Sequence, residues 1–262
     1  MKMITSIFFL SFAFYANAGV QIYANDTSVL VLERIEGKAG VTSTLYGGSS
    51  DSGASSPADC VIKYSLENAG NNYKGVLIPF STEVMSYSSE SKNVASFEPN
   101  GSVITYLSDT APDICPMGTD FTGDYDLVSI KKPEYKKDFD SLIKFNYTNA
   151  LNVFRSKDIT RSIVLLEPYI QTAIDNNYYY PDVFNDYGFL LQQSGRNKDA
   201  VRILILVVKN TPKRTVAYLN LADAYWGIGD KSNASQNYKK YISLMAGASY
   251  GKIPSRAIER SK

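Results

Sequence analysis

The strongest constraint on this chain is a pattern that occurs twice between Pro181 and Met245, with an offset of 34 residues. Apolar positions recur as apolar, small positions recur as small, and a glycine returns at the same place. The first copy has Phe184, Tyr187, Gly188, Leu191, Gly195, Ala200, Leu204 and Val207, and the second has Tyr218, Leu221, Ala222, Tyr225, Gly229, Ala234, Tyr238 and Tyr241. A fixed period of this length is typical of one supersecondary unit that buries its apolar face by stacking on its copy.

An irregular earlier copy precedes these two. Apolar residues at helical spacing run from Phe139 to Phe154, and Ile159 to Asn176 supplies a partner helix. Ala150 takes the place of the small residue Gly188, and terminal copies of a repeat are commonly degenerate. After the last copy, the segment from Ile253 to Arg260 is expected to form a short helix that closes the open end of the stack.

The small and turn residues of the two good copies carry a family resemblance. Gly188 and Ala222 lie where the first helix of each pair meets the second, Gly195 and Gly229 suit a turn with positive φ, and Pro212 closes the first copy. On these residues the chain resembles the tetratricopeptide repeat (TPR) family, well over 181–248 and loosely over 139–176. The resemblance implies paired antiparallel helices whose first members line a protein-binding inner face.

Carried over by position, the resemblance implies candidate partner-binding residues on that inner face, namely Asn185, Phe189, Gln192, Leu219, Asp223 and Trp226. Trp226 is the only tryptophan, and two interpretations are open: an aromatic anchor for a partner, or packing against the last helix. Family members that grip a C-terminal carboxylate use basic and asparagine side chains at five places. Those places here hold Tyr147, Leu151, Asp186, Val216 and Asn220. We therefore do not expect carboxylate capture.

The first half of the chain has a β pattern. Short runs rich in branched and aromatic residues follow one another from residue 19 to residue 130, and Asn100-Gly101 is a hairpin-turn signal between two of them. The sequence predicts an α+β protein with an antiparallel sandwich or barrel over 19–130, a charged linker over 131–138, and TPR-like helices over 139–262. The helical part is expected to hold about three helix pairs and a C-terminal capping helix.

The N-terminus predicts export. A short positive start, an apolar run from Ile4 to Tyr15 and Ala16-Asn17-Ala18 have the order of a secretory signal peptide over residues 1–18, cleaved between Ala18 and Gly19. A buried N-terminal strand is the alternative. Cys60 and Cys115 are the only cysteines, and in an oxidising compartment we expect them to form a disulfide; two buried free thiols are the alternative. No later run is long enough to span a membrane.

Composition excludes several chemistries. The chain has no histidine, which removes Ser-His-Asp, Cys-His and histidine-ligated metal sites. Asp120, Asp124 and Asp126 lack the spacing of an EF-hand loop, so a solvated turn is favoured over a Ca²⁺ site. With 27 basic and 26 acidic side chains and no basic stripe, nucleic acid is not expected as a partner. The sequence predicts no catalytic residue, no cofactor and no metal.

Three functions are compatible with these sequence features. The leading hypothesis is a non-enzymatic periplasmic or secreted protein that binds another protein through its repeats. The second is an immunity or inhibitor protein against a toxin or cell-wall hydrolase. For this second function, Cys60, Cys115-Pro116 and Gly123-Asp124-Tyr125 give the β domain a resemblance to small disulfide-linked periplasmic inhibitor domains, too limited to imply a site. The third and least favoured is a glycan hydrolase using carboxylates such as Glu33 and Glu36.

Overall fold

The structure is a computed structural model that describes residues 19–35, 40–47, 60–78, 80–81, 86–87, 94–108, 115, 119–246 and 253–262. The predicted signal peptide, residues 1–18, and Glu36 lie outside the described residues. The chain divides into two compact units, residues 1–141 and 142–262.

The first unit contains a closed antiparallel β-barrel. Its eight strands are β1 (Gly19–Ala24), β2 (Ser28–Arg34), β3 (Val41–Gly47), β4 (Val61–Ala69), β5 (Asn72–Leu77), β8 (Val94–Asn100), β9 (Val103–Ser108) and β10 (Gly123–Leu127). They close in the order β1-β10-β9-β8-β5-β4-β3-β2, while β6 (Phe80–Ser81) and β7 (Ser86–Tyr87) form a separate two-stranded sheet. Of the predicted sandwich or barrel, the barrel is the observed form.

Aromatic side chains fill the barrel interior. The rings of Tyr64, Phe97 and Tyr106 contact one another with centroids 5.1–6.2 Å apart, and the Tyr64 and Tyr106 hydroxyls lie 2.9 Å apart. Tyr125 donates its hydroxyl to the Phe121 carbonyl at 2.7 Å. The barrel interior is therefore a packed core in which these tyrosine hydroxyls have hydrogen-bond partners.

The side chains that point away from the barrel interior are buried on some strands and accessible to solvent on others. On β1 to β4 they are buried, with Ile22, Val31 and Thr44 fully inaccessible to solvent. On β9 and β10 they are accessible to solvent, as at Thr105 and Asp124, whose side chains hydrogen-bond at 2.6 Å. A strand buried on both faces loses the alternation of apolar and polar residues that a half-buried strand shows, and β2 (SVLVLER) is apolar throughout its middle for this reason.

Two local predictions in this unit can be compared with the structure. The disulfide between Cys60 and Cys115 is present and joins residues separated by 55 positions. The hairpin after β8 is also present, but Asn100 pairs with Val103, so the two turn residues are Gly101 and Ser102 rather than Asn-Gly. Gly101 has φ +63°, which matches a type II′ turn with glycine first.

The helix that follows the barrel begins earlier than the sequence predicted. α1 runs from Pro133 to Arg155, so most of the predicted linker, residues 133–138, is helical. Proline is well suited to a first helical turn. Tyr135, in the first turn, is buried and donates its hydroxyl to the Val20 carbonyl at 3.2 Å, so tertiary packing holds a segment whose charged sequence resembled a linker. The boundary between the two units falls within α1, after Ser141.

The second unit is helical. After α1 come α2 (Ile159–Asp175), α3 (Pro181–Gln193), α4 (Asn197–Asn210), α5 (Thr215–Gly227), α6 (Lys231–Ala246) and α7 (Ser255–Arg260). Each helix from α2 to α6 packs on the next, and α3 also contacts α5. Within the described residues, none of the helices combines the length and apolarity needed to cross a bilayer.

The 34-residue pattern corresponds to two hairpins, α3 with α4 and α5 with α6. The turn glycines Gly195 and Gly229 both adopt positive φ, +84° and +81°. Gly188 lies against Leu204 of α4 so closely that a Cβ there would meet Leu204 Cγ at 2.6 Å. The small residue of the pattern therefore sets the distance between the two helices of a hairpin.

Candidate protein-interaction face

The inner face is defined here as the side chains of α1, α3 and α5 at the positions that the repeat assigns to it. Contacts along this face join successive first helices. The Tyr147 hydroxyl of α1 donates to Asp186 Oδ2 of α3 at 2.7 Å, and the rings of Phe154 and Phe189 meet edge to face at 5.8 Å. These contacts make α1 and α3 neighbours in one row.

Polar contacts continue the row from α3 to α5. Asn220 Nδ2 donates to Asn185 Oδ1 at 3.4 Å, and Arg214 forms an ion pair with Asp182 at 2.8 Å. Asn185 is only 3% exposed, and its own Nδ2 donates to Asp186 Oδ1 at 2.9 Å. Asn185 therefore holds two helices together, and little of its surface is available to a partner.

The other candidate residues of α3 are more accessible. Phe189 and Gln192 are half-buried, and Gln192 Oε1 accepts a hydrogen bond from Gln193 at 2.6 Å. Phe189 keeps part of its ring accessible beside Phe154. These residues form an aromatic and polar strip along the middle of the inner face.

The candidate residues of α5 meet α7. Leu219 and Trp226 are half-buried against a core of Ala222, Tyr238 and Ala257. The Arg260 guanidinium lies over the Trp226 ring, 4.5 Å from its centroid. For Trp226 the structure shows the packing alternative, and a partner-binding role stays a prediction.

Asp223 is the centre of a charged cluster. Arg256 donates to its carboxylate through Nη2 at 2.8 Å and Nε at 3.1 Å, and the Tyr238 hydroxyl donates to Oδ1 at 2.5 Å. Arg260 lies 3.7 Å from the same carboxylate. The hydrogen bond to Asp223 raises the pKa of Arg256, and burial followed by the hydrogen bond to Asp223 raises the pKa of Tyr238 to about 12. Both groups stay in the protonated forms that bind the carboxylate.

Two carboxylates lie at inner-face positions of α3 and α5. Asp186 and Asp223 occupy inner-face positions, and burial together with the Asp186 hydrogen bond raises the pKa of Tyr147. A ligand carboxylate would meet repulsion at Asp186. That this face does not capture a C-terminal carboxylate stays a prediction.

Sequence reasoning missed the partners of these acids. The Tyr147–Asp186 bond and the Arg256–Asp223 pair join segments 39 and 33 residues apart, and nothing local distinguishes these acids from solvated ones. One usable signal was present: Arg256 and Arg260 are four residues apart around Ala257 in a tail predicted to be helical.

The tyrosines before α3 and the acids before β10 have structural roles. Tyr179, from the Tyr178-Tyr179-Tyr180 run, bonds Thr211 through its hydroxyl at 2.8 Å and packs edge to face on Phe184. Asp120 Oδ1 accepts from the Thr122 amide at 2.8 Å, as in a solvated turn. Throughout the described ranges, no group of three or more acidic, cysteine or histidine side chains is arranged to hold a metal ion.

Of the two carboxylates named for glycan hydrolysis, only Glu33 lies among the described residues. Glu33 is 4% exposed and forms an ion pair with Lys63 at 2.6 Å on the outward face of β2 to β4. Thr42 also donates to Glu33 Oε2, at 2.8 Å. Glu33 is thus a buried carboxylate with a structural role, held by Lys63 and Thr42.

Comparison with known proteins adds a structural likeness for the helical part. No protein-family model matches the chain, and no curated protein matches it. The chain is similar to the TPR domain of Sgt2 from Aspergillus fumigatus, with a TM-score of 0.38 and 20% identity. That match covers 49% of this chain and 76% of the Sgt2 domain.

Proposed function

We propose that this protein is a non-enzymatic binding protein whose helical unit is a TPR-type scaffold for another protein. The observation that carries the proposal is the row of first helices, in which Phe189, Gln192 and Leu219 remain half-buried on a face built by repetition. Repeats of this kind contact mainly their neighbours and leave an extended surface for a partner. The half-buried aromatic ring of Phe189 is the type of anchor favoured in interface hot spots.

Export is the second part of the proposal. The N-terminal pattern of residues 1–18 and a disulfide between residues far apart in sequence both suit an oxidising compartment outside the cytoplasm. N-terminal sequencing of the protein purified from periplasm or medium tests this. We expect the mature chain to begin at Gly19, and a chain that keeps residues 1–18 in the cytoplasmic fraction would contradict export.

Site-specific crosslinking tests the binding face. We would replace Phe189 with the photo-crosslinking amino acid benzoylphenylalanine, which keeps an aromatic ring at that position. The matched control places the same amino acid at Ile205, a 40% exposed residue of α4 outside the inner face. We expect a discrete crosslinked protein from position 189 and none from position 205. Equal products from both, with unchanged circular dichroism, would refute the inner face as the binding surface.

A further inference from the structure

The contacts that hold α7 resemble recognition of a ligand more than packing of a core helix. Asp223, Trp226 and Tyr238, called here the α7 site, bind two arginines of α7. Arg256 presents two donors to the Asp223 carboxylate, and Arg260 stacks over the indole while donating to the Tyr238 hydroxyl at 3.1 Å. Asp223 lies within ion-pair distance of both arginines, and Tyr238 contacts Arg260 and Asp223. The α7 site therefore has the side chains that suit guanidinium groups.

The helix α7 contributes little to its own stability. It has six residues, buries only Ala257, and leaves Ile258 47% exposed. Helices this short do not form alone in water because nucleation is costly. The position and helicity of α7 therefore depend on its contacts with the rest of the unit. These are the contacts of the two arginines and Ala257, the packing of Ile253 on the same core, and a hydrogen bond from Ser235 Oγ to the Ser261 carbonyl.

The α7 site itself requires a cation. The Asp223 side chain is only 12% exposed, and a carboxylate held away from water is unfavourable unless it is paired. Arginine suits the site better than lysine, because its planar fork matches a carboxylate and stacks on an aromatic ring. The chemistry required of an occupant is thus two guanidinium groups one helical turn apart.

We infer that the α7 site binds a helical segment of a partner protein that carries Arg-x-x-x-Arg, and that α7 occupies the site as an intramolecular competitor. This inference rests on the proposed function and names the partner chemistry for one end of the inner face. α6 ends at Ala246 and α7 begins at Ser255, so α7 is tethered beside its site. A tether of this length gives α7 an effective concentration of about 1 mM at its site. A partner segment of equal intrinsic affinity must reach that concentration to displace α7 from half of the molecules. At a lower concentration it must bind the site more tightly than α7 does.

The test uses the full chain and a labelled peptide with the sequence of residues 253–262. The double variant Arg256→Ala/Arg260→Ala removes the competing groups from α7. Its matched control is Arg202→Ala/Lys239→Ala, which removes two charges from exposed positions of α4 and α6. Trp226 is the only tryptophan of the chain, so its fluorescence reports directly on occupancy of the α7 site, and peptide anisotropy reports binding.

We expect the emission of Trp226 to shift to the red in the double variant and to return when the peptide binds. The peptide should bind the double variant at least tenfold more tightly than the unaltered chain or the control. Adding Asp223→Asn to the double variant, or replacing both peptide arginines with lysine, should weaken binding at least tenfold.

Three results would overturn the inference. The first is that the emission of Trp226 does not change in the double variant. The second is that the peptide does not bind the double variant, and the third is that the peptide binds all forms with equal affinity. The titration needs no natural partner, so it can fail while crosslinking from position 189 succeeds, and the reverse. The failure of this inference is therefore distinguishable from the failure of the proposed function.

Discussion

The close approach of Gly188 to Leu204 makes Gly188→Ala a stringent test of how the hairpins pack. An added Cβ would lie 2.6 Å from Leu204 Cγ and 2.7 Å from Leu204 Cδ2, whereas carbon atoms pack best at roughly 3.5–4.0 Å. Leu204 is fully buried, so the helices must separate or the leucine must leave its rotamer. Overpacking of this kind costs about 1–3 kcal/mol, and the large overlap places Gly188→Ala near the upper end.

Helix propensity works in the opposite direction. Alanine is more favourable than glycine inside a helix by about 1 kcal/mol. The net expectation is a loss of about 1–2 kcal/mol in the free energy of unfolding. Urea denaturation followed by the fluorescence of Trp226, which lies in the same unit, measures this quantity.

A double-mutant cycle provides the control. Leu204→Ala alone should cost about 2–5 kcal/mol by leaving a cavity. In that background the Cβ of Gly188→Ala has room, so the second substitution should stabilise the protein by about 1 kcal/mol through propensity. If Gly188→Ala is stabilising in the original chain, the reasoning that steric contact sets the helix distance is refuted.

Three further predictions concern the barrel. Replacing Cys60 and Cys115 with serine should lower the free energy of unfolding by about 4 kcal/mol in the chain-entropy model, measured by urea denaturation; an unchanged midpoint would contradict a stabilising crosslink. Gly75→Ala should cost about 1–3 kcal/mol, because its Cβ would meet the Phe97 ring at 2.6 Å, and a higher melting temperature would refute this. Burial raises the pKa of Tyr23 to about 12, and the unfolded chain ionises its tyrosines near pH 10. The free energy that protonated, buried Tyr23 contributes to stability is therefore fully present below pH 10 and is lost as the pH rises from 10 towards 12. The free energy of unfolding of Tyr23→Phe, measured by urea denaturation, should therefore fall less between pH 10 and pH 12 than that of the unaltered chain, and equal falls would contradict the reasoning.

Local sequence predicted the features that depend on neighbouring residues. The hairpin turns at Gly195 and Gly229 were predictable because positive φ is unfavourable for other residues. The disulfide was predictable because the chain has two cysteines. The early start of α1 was not predictable from local sequence, because the buried hydroxyl of Tyr135 donates a hydrogen bond to the carbonyl of Val20, which is 115 residues away.

On the inner face, too, the sequence predicted the positions of residues but not their surroundings. The repeat period placed Asn185, Asp223 and Trp226 on it by position, but their environments depend on other helices. Asn185 is buried by Asn220 and Asp186 rather than accessible to a partner. Asp223 and Trp226 are covered by arginines of α7.

The sequence by itself determined that the second half forms helical hairpins, because the spacing of apolar and small residues is a local property of one helix and its partner. Only the tertiary structure decided that the strands close into a barrel, since closure depends on the pairing of β1 with β10, where Tyr23 meets Leu127. It also decided which inner-face acids are covered. A carboxylate such as Asp223 attracts any nearby cation, and the fold alone brings Arg256 within hydrogen-bonding distance of it.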